Sequence, residues 1–152
     1  MKIRAATVND AEIVSGIIRS FSEPFFTSPD GKGAEAFLKS ISENAIAEYI
    51  ASDNFSYYVG EEHGKIVGAI AIRDNKHLYH LFVVSVCQHR GLGRQFWEHA
   101  RAEAIVAGHH GEFTVNSSLN AVSVYKAFGF KPASDIRQAD GVSFLPMVLA
   151  GE

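Results

Sequence analysis

Residues 88–93, Gln-His-Arg-Gly-Leu-Gly, are the stretch of this chain best suited to chemistry. They follow an apolar run and precede residues with helical spacing. The first N–H groups of a helix have no intrahelical partner and lie at the positive end of its dipole. Glycines let a ligand approach that backbone closely. A strand, a glycine-rich turn and a helix start together make a ready phosphate site, with a plain tight turn into a helix as the alternative. The spacing is not the dinucleotide fingerprint, which needs a third glycine, nor a P-loop, which needs Gly-Lys-Ser/Thr. His77 and His80 come next, because histidine accepts a proton near neutral pH. Strand alternation puts His77 on one face with Tyr79, Leu81 and Val83, and His80 on the other. A half-exposed structural histidine is the alternative for His77. Cys87 adjoins the turn, yet no His or Asp partner is assignable, which argues against a cysteine nucleophile. His109 and His110 lie past a helix end without carboxylates at ligand spacing, so no metal is expected.

Several elements must position these groups. Residues 2–6 read as a first strand. Thr7 and Asp10 form a capping box for a helix whose stripe is Ala11, Val14, Ile17, Ile18 and Phe21. Residues 22–33 hold two prolines and two glycines, which excludes regular helix. Helical pieces follow at 34–42 and 43–51. "FSYYVGE" and "IVGAIAIRD" form a hairpin turning near Gly64. Residues 76–84 are a further strand, and a helix runs from Leu92 to near Gly108. A strand at 112–116 leads to a short helix bearing Ala121, Val124, Tyr125 and Phe128, with Ser117-Ser118 as its cap and Gly129 as its stop. The last strand is 142–149, where Pro146 predicts an edge or a bulge. Consecutive strands beside βα crossovers predict a mixed sheet with helices on its faces, in one domain over 1–152.

With Arg90 and Arg94 flanking it, the turn Gln88-x-x-Gly91-x-Gly93 resembles motif A of the GNAT superfamily of N-acetyltransferases. Residues 81–93 match in register, except Ser85-Val86, where many members carry Pro and an acidic residue. Residues 114–132 resemble the second half of the family pattern, through Ala121, Tyr125, Gly129 and Phe130. The resemblance implies an α/β (α+β) fold. Its central sheet is mixed and mostly antiparallel, with helices on both faces and a splayed strand pair forming an acetyl-CoA cleft. It implies acetyl-CoA as co-substrate, its pyrophosphate on the turn formed by Gln88, His89, Arg90, Gly91, Leu92, Gly93 and Arg94. The pantetheine arm would lie along Leu81, Phe82 and Val83, with Asn116 and Asn120 adding contacts. Tyr125 would be the general acid for the departing thiolate. His77 sits where histone-acetylating members carry a glutamate, which makes it a candidate general base.

Transfer from a thioester to an amine needs a neutral amine, a stabilised oxyanion and a protonated leaving thiolate. Positioning both substrates side by side supplies much of the rate without a covalent intermediate. The expected activity is direct transfer to a primary amine of a small molecule or peptide. Residues 22–55, which in the family usually shape the acceptor pocket, offer Phe25 and Phe26 for stacking and Glu23 for an amine. Loop packing is the alternative for the two phenylalanines. The alternative function is a non-catalytic acyl-CoA-binding or sensor module, but a sensor has no need of a thiolate acid at Tyr125.

Composition sets outer limits. A net charge of −3 argues against nucleic acid as a partner. No apolar run reaches membrane-spanning length and the N-terminus lacks a signal-peptide core, so no membrane partner is expected. A single cysteine in 152 residues cannot form an internal disulfide. A soluble, cytoplasmic protein is the expectation, with homodimerisation left open.

Overall fold

The computed structural model describes residues 1–151. Strands are β1 (Lys2–Ala5), β2 (Phe55–Glu62), β3 (Lys65–Arg73), β4 (His77–Val83), β5 (Phe113–Ser117), β6 (Lys131–Pro132), β7 (Arg137–Ala139) and β8 (Val142–Leu149). Helices are α1 (Ala11–Ser20), α2 (Glu35–Ser40), α3 (Glu43–Ala51), α4 (Leu92–Val106) and α5 (Val122–Ala127). The sheet order is β1-β2-β3-β4-β5-β8-β6, with β7 also on β8. Every pairing is antiparallel except β4 with β5. This is the mixed, mostly antiparallel sheet expected. Helices cover both faces: α4 and α5 pack with Ile70, Phe96, Trp97 and Tyr125 on one, and α1 and α3 with Val14, Ile46 and Val59 on the other.

Local chemistry accounts for the joints. The Asp10 carboxylate accepts from Thr7 N–H at 2.8 Å, the acidic half of the expected capping box. It also takes a bidentate pair from Arg4 at 2.8 and 2.9 Å, tying β1 to the start of the α1 segment. The β2–β3 hairpin turns on His63 and Gly64, both at positive φ, as a two-residue turn requires. Pro146 departs from expectation: β8 is flanked by β5 on one side and by β6 and β7 on the other. Its carbonyl accepts from Ala133 N–H, so its ring nitrogen faces the same outer side, where β7 has ended and β6 begins. The missing donor thus falls in a gap between two short strands.

Two glycines seat the helix that follows the turn. Gly60 and Gly68 pair across β2 and β3. A Cβ on Gly68 would stand 2.6 Å from Phe82 O and 2.8 Å from the Phe96 ring, and one on Gly60 2.6 Å from the same ring. Phe96, wholly buried, is therefore the knob that fixes α4 against the sheet. Gly68→Ala is expected to cost about 1–3 kcal/mol by overpacking, measurable as a lower urea midpoint. An unchanged midpoint would show that the Phe96 ring and the β4 backbone at Phe82 can both move aside.

Strand β4 carries a bulge that alternation does not reveal. Ala71 pairs with His80 and Ile72 with Leu78, leaving Tyr79 as the extra residue. Beyond it the faces exchange. Leu78, Leu81 and Val83 pack on the α4 side, and Tyr79 and Phe82 on the α1/α3 side. The Tyr79 and His80 rings, though adjacent in sequence, lie 4.5 Å apart. His77 therefore shares its face with Tyr79 and His80, not with Leu81 and Val83 as expected from strict alternation.

Candidate active site: a forked sheet between two cavities

β4 and β5 are paired only at His77↔Thr114 and Leu78↔Val115. β4 continues to Val83 and β5 to Ser117, so the strands diverge from Tyr79 and Asn116 onward. The splayed pair expected from the sequence is present. A cavity of about 470 Å³ fills the opening. It runs from Gln88, His89, Gly91, Gly93 and Arg94 at one end, along Leu81, Phe82 and Val83, to Tyr125, Asn116 and Asn120. A second cavity of about 190 Å³ adjoins it, lined by residues that include Phe37, His77, His80 and Phe144. Phe25, Tyr79, Phe82 and Asn116 line both. Tyr79 and Asn116 are also the first residues past the last β4–β5 pair, so the cavities meet at the fork.

The turn has the backbone that its glycines predict. His89 and Gly91 have φ of 63° and 80°, and Gly91 is the N-cap of α4. The first helical bond is donated by Gln95 N–H to Gly91 O, which leaves the N–H groups of Leu92, Gly93 and Arg94 without helical acceptors. No acidic residue occupies the first turn of α4 to neutralise its dipole. The Gln88 amide donates to Val83 O at 3.0 Å, linking the turn to the strand. Arg94 donates to Ala127 O at 3.0 Å and lies over the Phe128 ring, joining α4 to α5. The Arg90 side chain does not reach the cavity. Its guanidinium makes a bidentate pair with Glu62 at 2.8 and 2.7 Å, holding the turn against the end of β2. That hydrogen-bonded pairing also lowers the Glu62 pKa.

Tyr125 is buried, with its ring edge-on to Phe128 and Phe130. Burial raises its hydroxyl pKa well above the usual phenol value, so it keeps its proton at neutral pH. Its helix is not capped as expected. The N-cap is Ala121, Ser117 ends β5 with its hydroxyl on Ser118 O, and Ser118 donates to Asn120 Oδ1. Cys87 lines the large cavity near the glycine-rich turn, packed with Val67 and Leu92.

His77 lies in the smaller cavity, its Nδ1 2.7 Å from Thr114 Oγ1. His80 is buried beside it, its Nδ1 2.9 Å from the Tyr57 hydroxyl. Burial, with Arg73 and Lys76 nearby, pushes His77 down to about 4, and burial alone pushes His80 down to about 3. Both are neutral at pH 7. An unfolded histidine charges near pH 6.5 while these remain neutral, so the stability they contribute is complete above that pH. It is lost as pH falls towards the folded values. Unfolding free energy is expected to drop by roughly 2–4 kcal/mol between pH 7 and 5. Urea titrations at the two pH values test this. Equal stabilities would mean that the two rings are solvated.

Of the other expected acceptor residues, Phe25 lines both cavities, Glu23 is exposed, and Phe26 bridges to Val142, with neither Glu23 nor Phe26 lining a cavity. Tyr79 and Phe21 are cavity residues that sequence inspection did not single out.

A family model described as an acetyltransferase (GNAT) domain matches residues 25–150. The chain belongs to the GNAT acetyltransferase family. Solved structures share its fold across nearly the whole chain. A GCN5-related N-acetyltransferase from Rhodopseudomonas palustris superposes with a TM-score of 0.80 at 16% identity, covering 98% of this chain and 94% of its own. The PaiA N-acetyltransferase from Thermoplasma acidophilum, solved with coenzyme A, gives 0.75 at 18% identity, covering 98% of each chain. The ribosomal-protein-S18-alanine N-acetyltransferase from Escherichia coli gives 0.72 at 20% identity, covering 99% and 94%. No curated protein matches at the sequence level. Among the described residues, no helix is long and apolar enough to cross a membrane.

Proposed function

We propose that the protein is an N-acetyltransferase that moves the acetyl group of acetyl-CoA directly to a primary amine. The observation that carries this is the fork. It joins a long cavity, ending in a glycine-rich helix start, to a second cavity, with a buried and protonated phenol on the long cavity's wall. Family membership supports acyl transfer, and the coenzyme A complex of a structural neighbour supports the ligand.

In this reading the N–H groups from His89 to Arg94 hold the pyrophosphate. The pantetheine amides pair with β4 at Leu81, Phe82 and Val83, taking the place that β5 vacates. Asn116 and Asn120 flank the arm, and the thioester reaches the fork. An amine in the smaller cavity attacks the carbonyl carbon. The C–N bond forms, the C–S bond breaks, and its electron pair goes to sulfur. The Tyr125 hydroxyl gives its proton to that sulfur and takes one back from solvent as the thiol leaves. The nitrogen loses one proton, which ends in solvent and balances the one that Tyr125 recovers. His77 is the proposed acceptor of that proton, being neutral and in the amine's cavity. Its depressed affinity for protons means that it would pass the proton on to solvent rather than hold it.

Initial rates with both substrates varied test direct transfer. Intersecting double-reciprocal lines are expected, and Cys87→Ala should still turn over. Parallel lines, together with an inactive Cys87→Ala, would establish a covalent cysteine route instead.

A further inference from the structure

We infer that the smaller cavity selects small primary amines bearing one uncharged aromatic ring, over polyamines, amino sugars and peptide N-termini. The inference rests on the acetyl-transfer reading above and specifies its acceptor.

Five Phe and Tyr side chains line it, Phe25, Phe37, Tyr79, Phe82 and Phe144, with aliphatic residues between them. Aromatic rings in such a wall favour another ring, edge-on or offset. The volume of about 190 Å³ suits this, since an apolar cavity of about 150 Å³ holds benzene. A benzene ring with a short aminoalkyl arm would fill the space and put nitrogen at the fork.

The polar groups of the wall argue against further charge. No acidic residue lines either cavity among the described residues. His77 is turned to Thr114, His80 to Tyr57, the Tyr79 hydroxyl to that of Tyr49, and the Ser40 hydroxyl to Phe37 O. A second ammonium would find no counter-ion here, and burying one unpaired is costly. Arg73 lies over the Tyr79 ring at 5.4 Å, and Arg73 and Lys76 both act on His77. Their own carboxylate partners, Asp74 and Glu112, line neither cavity and so offer a bound polycation no counter-ion there. Glu23, which would have held an ammonium, is exposed and lines neither cavity. One ammonium can rest against ring faces before it loses its proton, and exclusion from water lowers its pKa.

The test compares kcat/KM at saturating acetyl-CoA for phenethylamine, propylamine, spermidine, glucosamine, phenylalanine and an alanine-terminated peptide. Phenethylamine is expected to exceed each of the others by roughly tenfold or more, through ring burial or freedom from added charge. Phe37→Ala should lower its kcat/KM roughly tenfold and leave acetyl-CoA affinity unchanged, because Phe37 is absent from the coenzyme cavity. Phe144→Leu serves in its place if Phe37→Ala does not fold. Equal rates across the panel, a preference for a charged acceptor, or unaltered phenethylamine kinetics in the variants would overturn the inference and leave acetyl transfer standing. Absence of turnover with all six would remove the reading on which it rests.

Discussion

Tyr125→Phe is expected to lower kcat by roughly 10²-fold or more while acetyl-CoA binding changes little. The substitution removes one hydroxyl. It keeps the ring and therefore its contacts with Phe128 and Phe130. Among the described residues that hydroxyl has no hydrogen-bond partner, and burial keeps it protonated. A donor held in this state costs little to align when charge develops on sulfur, whereas water would have to reorganise. The need arises only as the C–S bond breaks, so ground-state affinity should not respond. The signature is an equal fall in kcat and kcat/KM. If Tyr125→Phe turns over at the wild-type rate, the residue is a core aromatic and water or the amine supplies the proton.

Gly93→Val is expected to weaken acetyl-CoA binding by roughly 10²-fold, the equivalent of one or two charge-assisted hydrogen bonds. Gly91 and Gly93 differ in what a side chain would meet. Gly91 sits at φ 80°, so any L-residue there is strained and loss of binding would be mixed with loss of stability. Gly93 lies in the first turn of α4 without a positive φ, and a Cβ on it has no neighbour within 4 Å. It borders the large cavity. A valine there should leave the fold intact and obstruct the approach to the helix N–H groups. Calorimetric titration with acetyl-CoA, beside a thermal melt, separates the two effects. Wild-type affinity in Gly93→Val would remove the phosphate from this turn.

The turn was legible in the sequence because its determinants are local. Gly91 supplies a left-handed residue, Leu92 and Phe96 set the helical phase, and the strand before them is continuous. Tyr125 was legible through its register with Ala121 and Gly129. The bulge at Tyr79 was not, because it exists only in the register between Ala71–Ile72 and Leu78–His80, which no alternation in β4 alone encodes. That one residue decides which face His77 and His80 share. Pro146 was misplaced for a related reason: its tolerance depends on where β6 and β7 stop, not on its own strand. The segment from Ser22 to Ala34 was readable only as irregular. Its path is set by distant contacts, from Thr27 N–H to Gly141 O and from Phe26 to Val142. Those contacts bring Phe25 to the wall between the cavities while Glu23 stays in solvent.

The central claim is that this fork transfers an acetyl group from acetyl-CoA to an amine. The most direct measurement incubates the protein with acetyl-CoA and a panel of primary amines, following free thiol and the mass of the amine product together. The expected result is thiol release that depends on an amine, matched mole for mole by a product heavier by one acetyl group, and lost in Tyr125→Phe. Tight acetyl-CoA binding without amine-dependent thiol release across the panel would contradict the claim and identify the protein as an acyl-CoA-binding module instead.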